Sequence, residues 1–144
     1  MQQGLLALSK TVYGRAAHSA PHCIFFDGLH DHLHSQVPHD GIRLDSGRWA
    51  SSLIYADDVV LLSWSSPGLQ HLLNSMQDFC SHLDLTLSSS KTDCLFNGSS
   101  ADTWCLGEHA LPRSTTFKYL GLISTNLATS LMHLQGWLKM AKEP

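Results

Sequence analysis

Asp57 and Asp58 stand side by side in LIYADDVVLL, residues 53–62, between two apolar runs. Adjacent carboxylates in such surroundings repel each other and lose hydration unless a cation or basic partner compensates them. That need points to a divalent metal. Nucleotidyl transfer uses two such ions roughly 3.5–4 Å apart, held by carboxylates on rigid strands; one activates the attacking hydroxyl and the other neutralises the leaving phosphate. Two aspartates at a hairpin tip supply half of that donor set. The plainer use of the same pair is an exposed turn, where Asp is common.

The histidines and cysteines offer less. In HDHLH, His30 and His34 lie one helical turn apart with Asp31 and His32 between them, a spacing that can hold zinc. No Glu completes an H-E-x-x-H pattern, and His18, His22, His39, His71, His82, His109 and His133 are scattered along the chain. Cys23, Cys80, Cys94 and Cys105 form no C-x-x-C pair, so they read as reduced thiols rather than a zinc ribbon or disulfide framework.

The elements that would carry the aspartates follow from periodicity. CIFFDGLHDHLH places Ile24, Phe25, Leu29 and Leu33 on one helix face, weakened by Gly28. GIRLDSGRWASSLIY gives two extended runs about a turn at Asp45 and Gly47. After Ala56-Asp57-Asp58, the run VVLLS is β-branched and apolar, so a second turn falls on the aspartates and three consecutive antiparallel strands are predicted. Ser66 as N-cap and Pro67 at the first helical position open a long amphipathic helix. Its apolar face is Leu69, Leu72, Leu73, Met76, Phe79, Cys80 and Leu83. LTLSSSKTDCLFNGSS reads as a turn feeding a strand through Cys94 to Phe96, GEHALPRSTTFKYLGLIST as a further short strand pair, and residues 127–142 as a weakly amphipathic helix.

With 144 residues and 43% hydrophobic content, the chain can build one core. Nine Lys and Arg against twelve Asp and Glu give a formal charge of −3, which makes the chain alone a poor binder of a phosphate backbone. GLLALSK is too short for a signal-peptide core, and no apolar run approaches the roughly 18 residues of a membrane span. The expectation is an intracellular chain, nuclear or cytoplasmic, not secreted and without a membrane partner.

LIYADDVVLL resembles the Y-x-D-D box of reverse transcriptases in the Tyr-Ala-Asp-Asp form typical of non-LTR (LINE-type) retrotransposons. Other segments follow in the family's order. IFFDGLHDHL is similar to the helix after the template-contacting segment, and GIRLDSGRWASSLIYADD to the hairpin leading into the box. LQHLLNSMQDFCSHLDLTLSSSKTDCLFNG resembles the palm helix and its Lys-Thr strand, and FKYLGLIST the strand before the thumb. The resemblance covers about residues 23–126. It implies an α+β fold, a partial reverse-transcriptase palm. In that fold an antiparallel sheet has a β-hairpin carrying Asp57 and Asp58, and one long amphipathic helix packs on it. Residues 1–22 are then a divergent leader and 127–144 a helical tail.

By the same resemblance, Asp57 and Asp58 are the metal-binding and catalytic carboxylates. Lys91 stabilises or protonates the pyrophosphate leaving group, Tyr55 lies near the primer terminus and Ala56 lines the nucleotide pocket. Phe117, Lys118, Tyr119, Leu120 and Gly121 belong to the strand that positions the primer. The parent enzyme would use Mg²⁺ or Mn²⁺, an RNA template, a DNA primer and dNTPs.

The resemblance also requires an upstream strand bearing another metal-binding aspartate, yet residues 1–22 contain no Asp. Where a Gln-Gly-x-Pro-Leu-Ser-Pro segment should precede IFFDGL, the chain has GRAAHSAPHC. The expectation is therefore weak or absent metal and nucleic-acid binding and no polymerase activity for this chain alone. It would be either a truncated reading of an active polymerase or an inactive remnant acting at most as a small interaction module.

Overall fold

The computed structural model describes residues 5–10, 12–14, 28–55, 58–96, 102–119 and 122–124. The first half runs β1 (Leu5–Lys10), β2 (Val12–Gly14), α1 (Leu29–Gln36), β3 (Ile42–Arg43), β4 (Trp49–Ala50), β5 (Ser52–Tyr55) and β6 (Asp58–Ser63). Then come α2 (Ser66–His82), β7 (Leu85–Leu87), a 3-10 turn (Ser89–Lys91), β8 (Thr92–Phe96), β9 (Cys105–Leu106), β10 (His109–Ala110), β11 (Arg113–Ser114), β12 (Phe117–Tyr119) and β13 (Leu122–Ser124).

Five strands form one sheet in the order β11-β8-β1-β6-β5. Helices and strands pack on one another, so the fold is a mixed α and β one, compatible with the expected α+β class. In β8-β1-β6-β5 each neighbouring pair is antiparallel, as expected. The fifth departs from the expectation, because β11 runs parallel to β8. A parallel neighbour needs a crossover; here the chain returns past Trp104, whose carbonyl accepts from Leu111 N–H at 2.7 Å, and Pro112 then accepts from Cys94 N–H at 3.0 Å. With α1 between β1 and β5, and α2 between β6 and β8, the four-strand unit has the split β-α-β order.

The strand β1 lies in the middle of this sheet, although residues 1–22 show no periodicity that predicts it. A central strand flanked on both sides is free of the polar alternation that marks a half-exposed one. β2 is also tied in, pairing with β7 from Val12↔Leu87 to Gly14↔Leu85.

Strand β6 is buried on both faces, which explains the unbroken run VVLL. Val59 and Leu61 face α1 and α2, joining Leu29, Leu33, Leu69, Leu72, Leu73 and Met76. Val60 and Leu62 face the opposite way, packing with Ile42 and Ala50 of the β3–β4 hairpin and with Leu95. Each such leucine contributes about 1.5–3 kcal/mol when fully removed from water. The predicted three-strand run is therefore split at Ser51: β3–β4 is a separate two-stranded sheet folded over one face, while β5 belongs to the large sheet. Gly41 permits this folding, since a Cβ there would lie 2.5 Å from the Ala50 carbonyl oxygen.

Both helices begin slightly later or earlier than their sequence signals. Gly28, at φ 88°, is the N-cap of α1 and so marks its boundary rather than an interior weakness. Ile24 and Phe25, expected on the same face, lie outside the described residues. Helix α2 is capped by Ser65 rather than Ser66; its hydroxyl accepts from Gly68 N–H at 3.1 Å. Leu83 is the C-cap and 40% exposed, not a core residue, whereas Phe79 is half-buried against His32. The helix expected over residues 127–142 lies outside the described residues.

Candidate active site

Strand pairing decides which residues meet at the aspartates. β5 and β6 are antiparallel with Tyr55↔Asp58 as their closing pair, so Tyr55 and Asp58 stand side by side at one end of the sheet. Asp58 is the first residue of β6 and is half-buried. Ala56 and Asp57 lie outside the described residues. On its other side β6 pairs with β1, and the residue opposite Asp58 is Lys10.

Lys91 reaches the same end by a different route. It closes the 3-10 turn before β8, is exposed, and immediately precedes Thr92, which pairs with Ser9 of β1. The turn Ser89–Lys91 contacts β1. Tyr55, Asp58, Lys10 and Lys91 thus lie at one sheet end, drawn from three separate stretches of chain. Phe117, Lys118 and Tyr119 form β12, which pairs with β13 as a sheet of its own. Leu120 and Gly121 lie outside the described residues.

The opposite end of β6 is fixed by a small polar network. The buried Ser63 hydroxyl donates to the Asp40 carbonyl at 2.5 Å and accepts from Ser65 N–H at 3.3 Å. The Asp40 carboxylate meets His71 Nδ1 of α2 at 2.9 Å. This ties the loop after α1 to the start of α2 and clamps β6 beneath them, which fixes the strand that presents Asp58.

A two-ion site draws carboxylates from more than one strand. Strand β1, LLALSK, holds none. Of the carboxylates on neighbouring strands, Asp93 of β8 is exposed and pairs with Leu8, which in turn pairs with Val60. Two strand spacings and two residue steps separate it from Asp58, about 12 Å by ordinary sheet dimensions. Among the described residues there is no group of three His, Cys, Asp or Glu able to hold a metal ion. An ammonium donates hydrogen bonds but offers a metal no lone pair, so Lys91 adds no metal ligand at this end. His30 and His34 are exposed on α1 and belong to no such group either.

A cavity of about 390 Å³ opens between the end of α2 and residues 85–90. Leu85, Leu87 and Leu106 give it apolar walls, Ser81, Thr86, Ser88 and Ser90 add hydroxyls, and His109 completes the rim. Among the described residues its lining holds no carboxylate.

The chain matches no protein-family model and no curated protein. No helix among the described residues is long and apolar enough to cross a membrane. Lys10 is the residue that sequence reading missed. Its neighbours are set by strand register, which the local sequence does not encode.

Proposed function

We propose that the chain is a partial palm of a non-LTR retrotransposon reverse transcriptase, and that on its own it does not polymerise. The carrying observation is the pairing of β1 with β6. The resemblance of LIYADDVVLL and its flanking segments calls for an upstream strand beside the box strand, and β1 stands there without a carboxylate. In the parent enzyme, Asp57 and Asp58 would hold Mg²⁺ or Mn²⁺ for nucleotidyl transfer from dNTPs to a DNA primer on an RNA template. Lys91 would meet the leaving pyrophosphate, Tyr55 and Ala56 the primer end and nucleotide, and Phe117–Gly121 the primer strand.

Grafting residues 53–62 into an active reverse transcriptase of this type tests the family reading. Primer extension by the graft is expected to persist and to vanish with Asp57→Asn; a dead graft sinks the reading. The present chain, supplied with primer, template, dNTPs and Mn²⁺, is expected to extend nothing. Extension abolished by Asp57→Asn would overturn the inactive assignment.

The lysine opposite Asp58 favours the non-catalytic form of this reading, a remnant serving as a small interaction module. Binding of an RNA–DNA hybrid, measured against salt, checks that role. A flat response at low salt rules it out for nucleic acid.

A further inference from the structure

We propose that β5 is an interaction edge that takes a second copy of this chain: the copy's own β5 adds there antiparallel, centred on Leu53, so that two five-stranded sheets join into one. The two edges of the sheet are unlike. β11 is blunted in the ways that keep sheets from pairing edge to edge, being two residues long, following Pro112 and carrying the exposed Arg113. β5 is four residues long and holds no charged residue and no proline. Among the described residues no strand pairs with its outer side. Ile54 lies on this edge and is 36% exposed, one of two large apolar side chains so exposed among the described residues.

The backbone fixes which residues are offered. Leu62 N–H donates to the Ser51 carbonyl at 2.9 Å. Alternate residues of an antiparallel strand bond to the same neighbour, so Ser51, Leu53 and Tyr55 turn their backbone groups to β6, and Ser52 and Ile54 turn theirs outward. A copy of β5 related by a two-fold axis through Leu53 meets this pattern. Ser52 exchanges hydrogen bonds with Ile54 of the second copy, Ile54 with its Ser52, and the two Leu53 residues face each other as the close, non-bonded pair between them. Leu53 is half-buried against the cluster of Val60 and Leu62, so the new contact extends an apolar layer already present.

Charge suits a second copy as the occupant. The uncharged strand sets no like charges opposite each other when it pairs with itself. The acidic end of the β5–β6 hairpin is also kept from its counterpart. Asp58 is level with Tyr55 of its own copy, and Tyr55 is level with Ser51 of the other. The two Asp58 residues therefore stand four residue steps apart along the strands, about 14 Å and beyond the screening length of about 8 Å at physiological salt. The inference goes beyond the polymerase reading and does not depend on it.

Sedimentation velocity over a range of protein concentration tests the association, and a dimer fraction that rises with concentration is expected. Ile54→Lys, which puts a charge on the exposed edge, should weaken the dimer about tenfold or more and leave the fold unchanged by circular dichroism. Cysteine cross-linking in a Cys23→Ser, Cys105→Ser background reads the register. Leu53→Cys should give a disulfide dimer on mild oxidation, because the facing Cα atoms of a non-bonded pair lie about 4.5 Å apart. Ile54→Cys should give none, since its own counterpart is two residues out of step and about 8–9 Å away. If Leu53→Cys does not fold, the double variant Ser52→Cys/Ile54→Cys, which places facing thiols on the same edge, takes its place. A wild type that stays monomeric overturns the proposal and leaves the edge to a segment of another protein. So does a dimer unaffected by Ile54→Lys, or cross-linking by Ile54→Cys alone as readily as by the facing pair.

Discussion

The side-chain amide of Gln70 closes on both backbone groups of Cys105, its Oε1 accepting the N–H at 2.9 Å and its Nε2 donating to the carbonyl at 2.8 Å. In this way a residue of α2 acts as a strand neighbour to β9. The buried Trp104 beside it donates Nε1–H to the Ser66 carbonyl at 3.2 Å, so the crossover is fastened to α2 at two adjacent points. Gln70→Glu keeps the shape but replaces the donor with a carboxylate facing a carbonyl. It should lower stability by about 1–3 kcal/mol, measured by urea unfolding, with Gln70→Ala showing a loss of the same order.

His32 presents the reverse case. Its ring lies against Phe79 with centroids 5.3 Å apart, and its Nε2 is buried with no hydrogen-bond partner among the described residues. A buried polar atom left unpaired costs about 1–3 kcal/mol. His32→Leu should therefore stabilise the α1–α2 contact, and a rise in the thermal midpoint is the readout. A fall would mean that the imidazole earns its place through packing alone.

The cysteines divide by burial. Burial pushes the Cys80 thiol up from 9.0 to about 12, and burial together with the Asp93 carboxylate does the same for Cys94. Below pH 9 the folded and unfolded chains both keep these protons. Between pH 9 and about 12 the unfolded chain releases them while the folded chain holds them, so stability falls as pH rises. The slope is about 1.4 kcal/mol per pH unit for each thiol. Denaturant unfolding across this range checks it, and Cys80→Ala or Cys94→Ala should flatten the curve. In native protein at neutral pH, alkylation is expected at the partly exposed Cys105 well before Cys80 or Cys94.

What the sequence made legible is what depends on local pattern. The apolar steps from Leu69 to Cys80 define α2, because burial of one face every three or four residues is a signal carried within the segment itself. The pairing of Tyr55 with Asp58 is equally local, a hairpin closing on itself. Leu83 misled because its spacing continues the helix face, whereas Asp84 turns to a φ of 55° and ends it. β1, and the pairing of β11 with β8, were invisible for a different reason. Six residues without alternation, or two residues beside Pro112, mean little until distant strands are in place, and so the lysine opposite Asp58 was out of reach too.

The central position of β1 has a kinetic side. Its partners are β6 and, still later in the chain, β8. The β5–β6 hairpin can close as soon as it is made, but the middle of the sheet waits for Thr92–Phe96. Translation at roughly 5–20 residues per second leaves LLALSK without its second neighbour for on the order of 5–20 s. Such long-range pairing also folds slowly once the chain is released. An early strand is thus completed only after the chain has been made through Phe96, and during that interval an apolar segment is open to chaperones or to other copies of the chain.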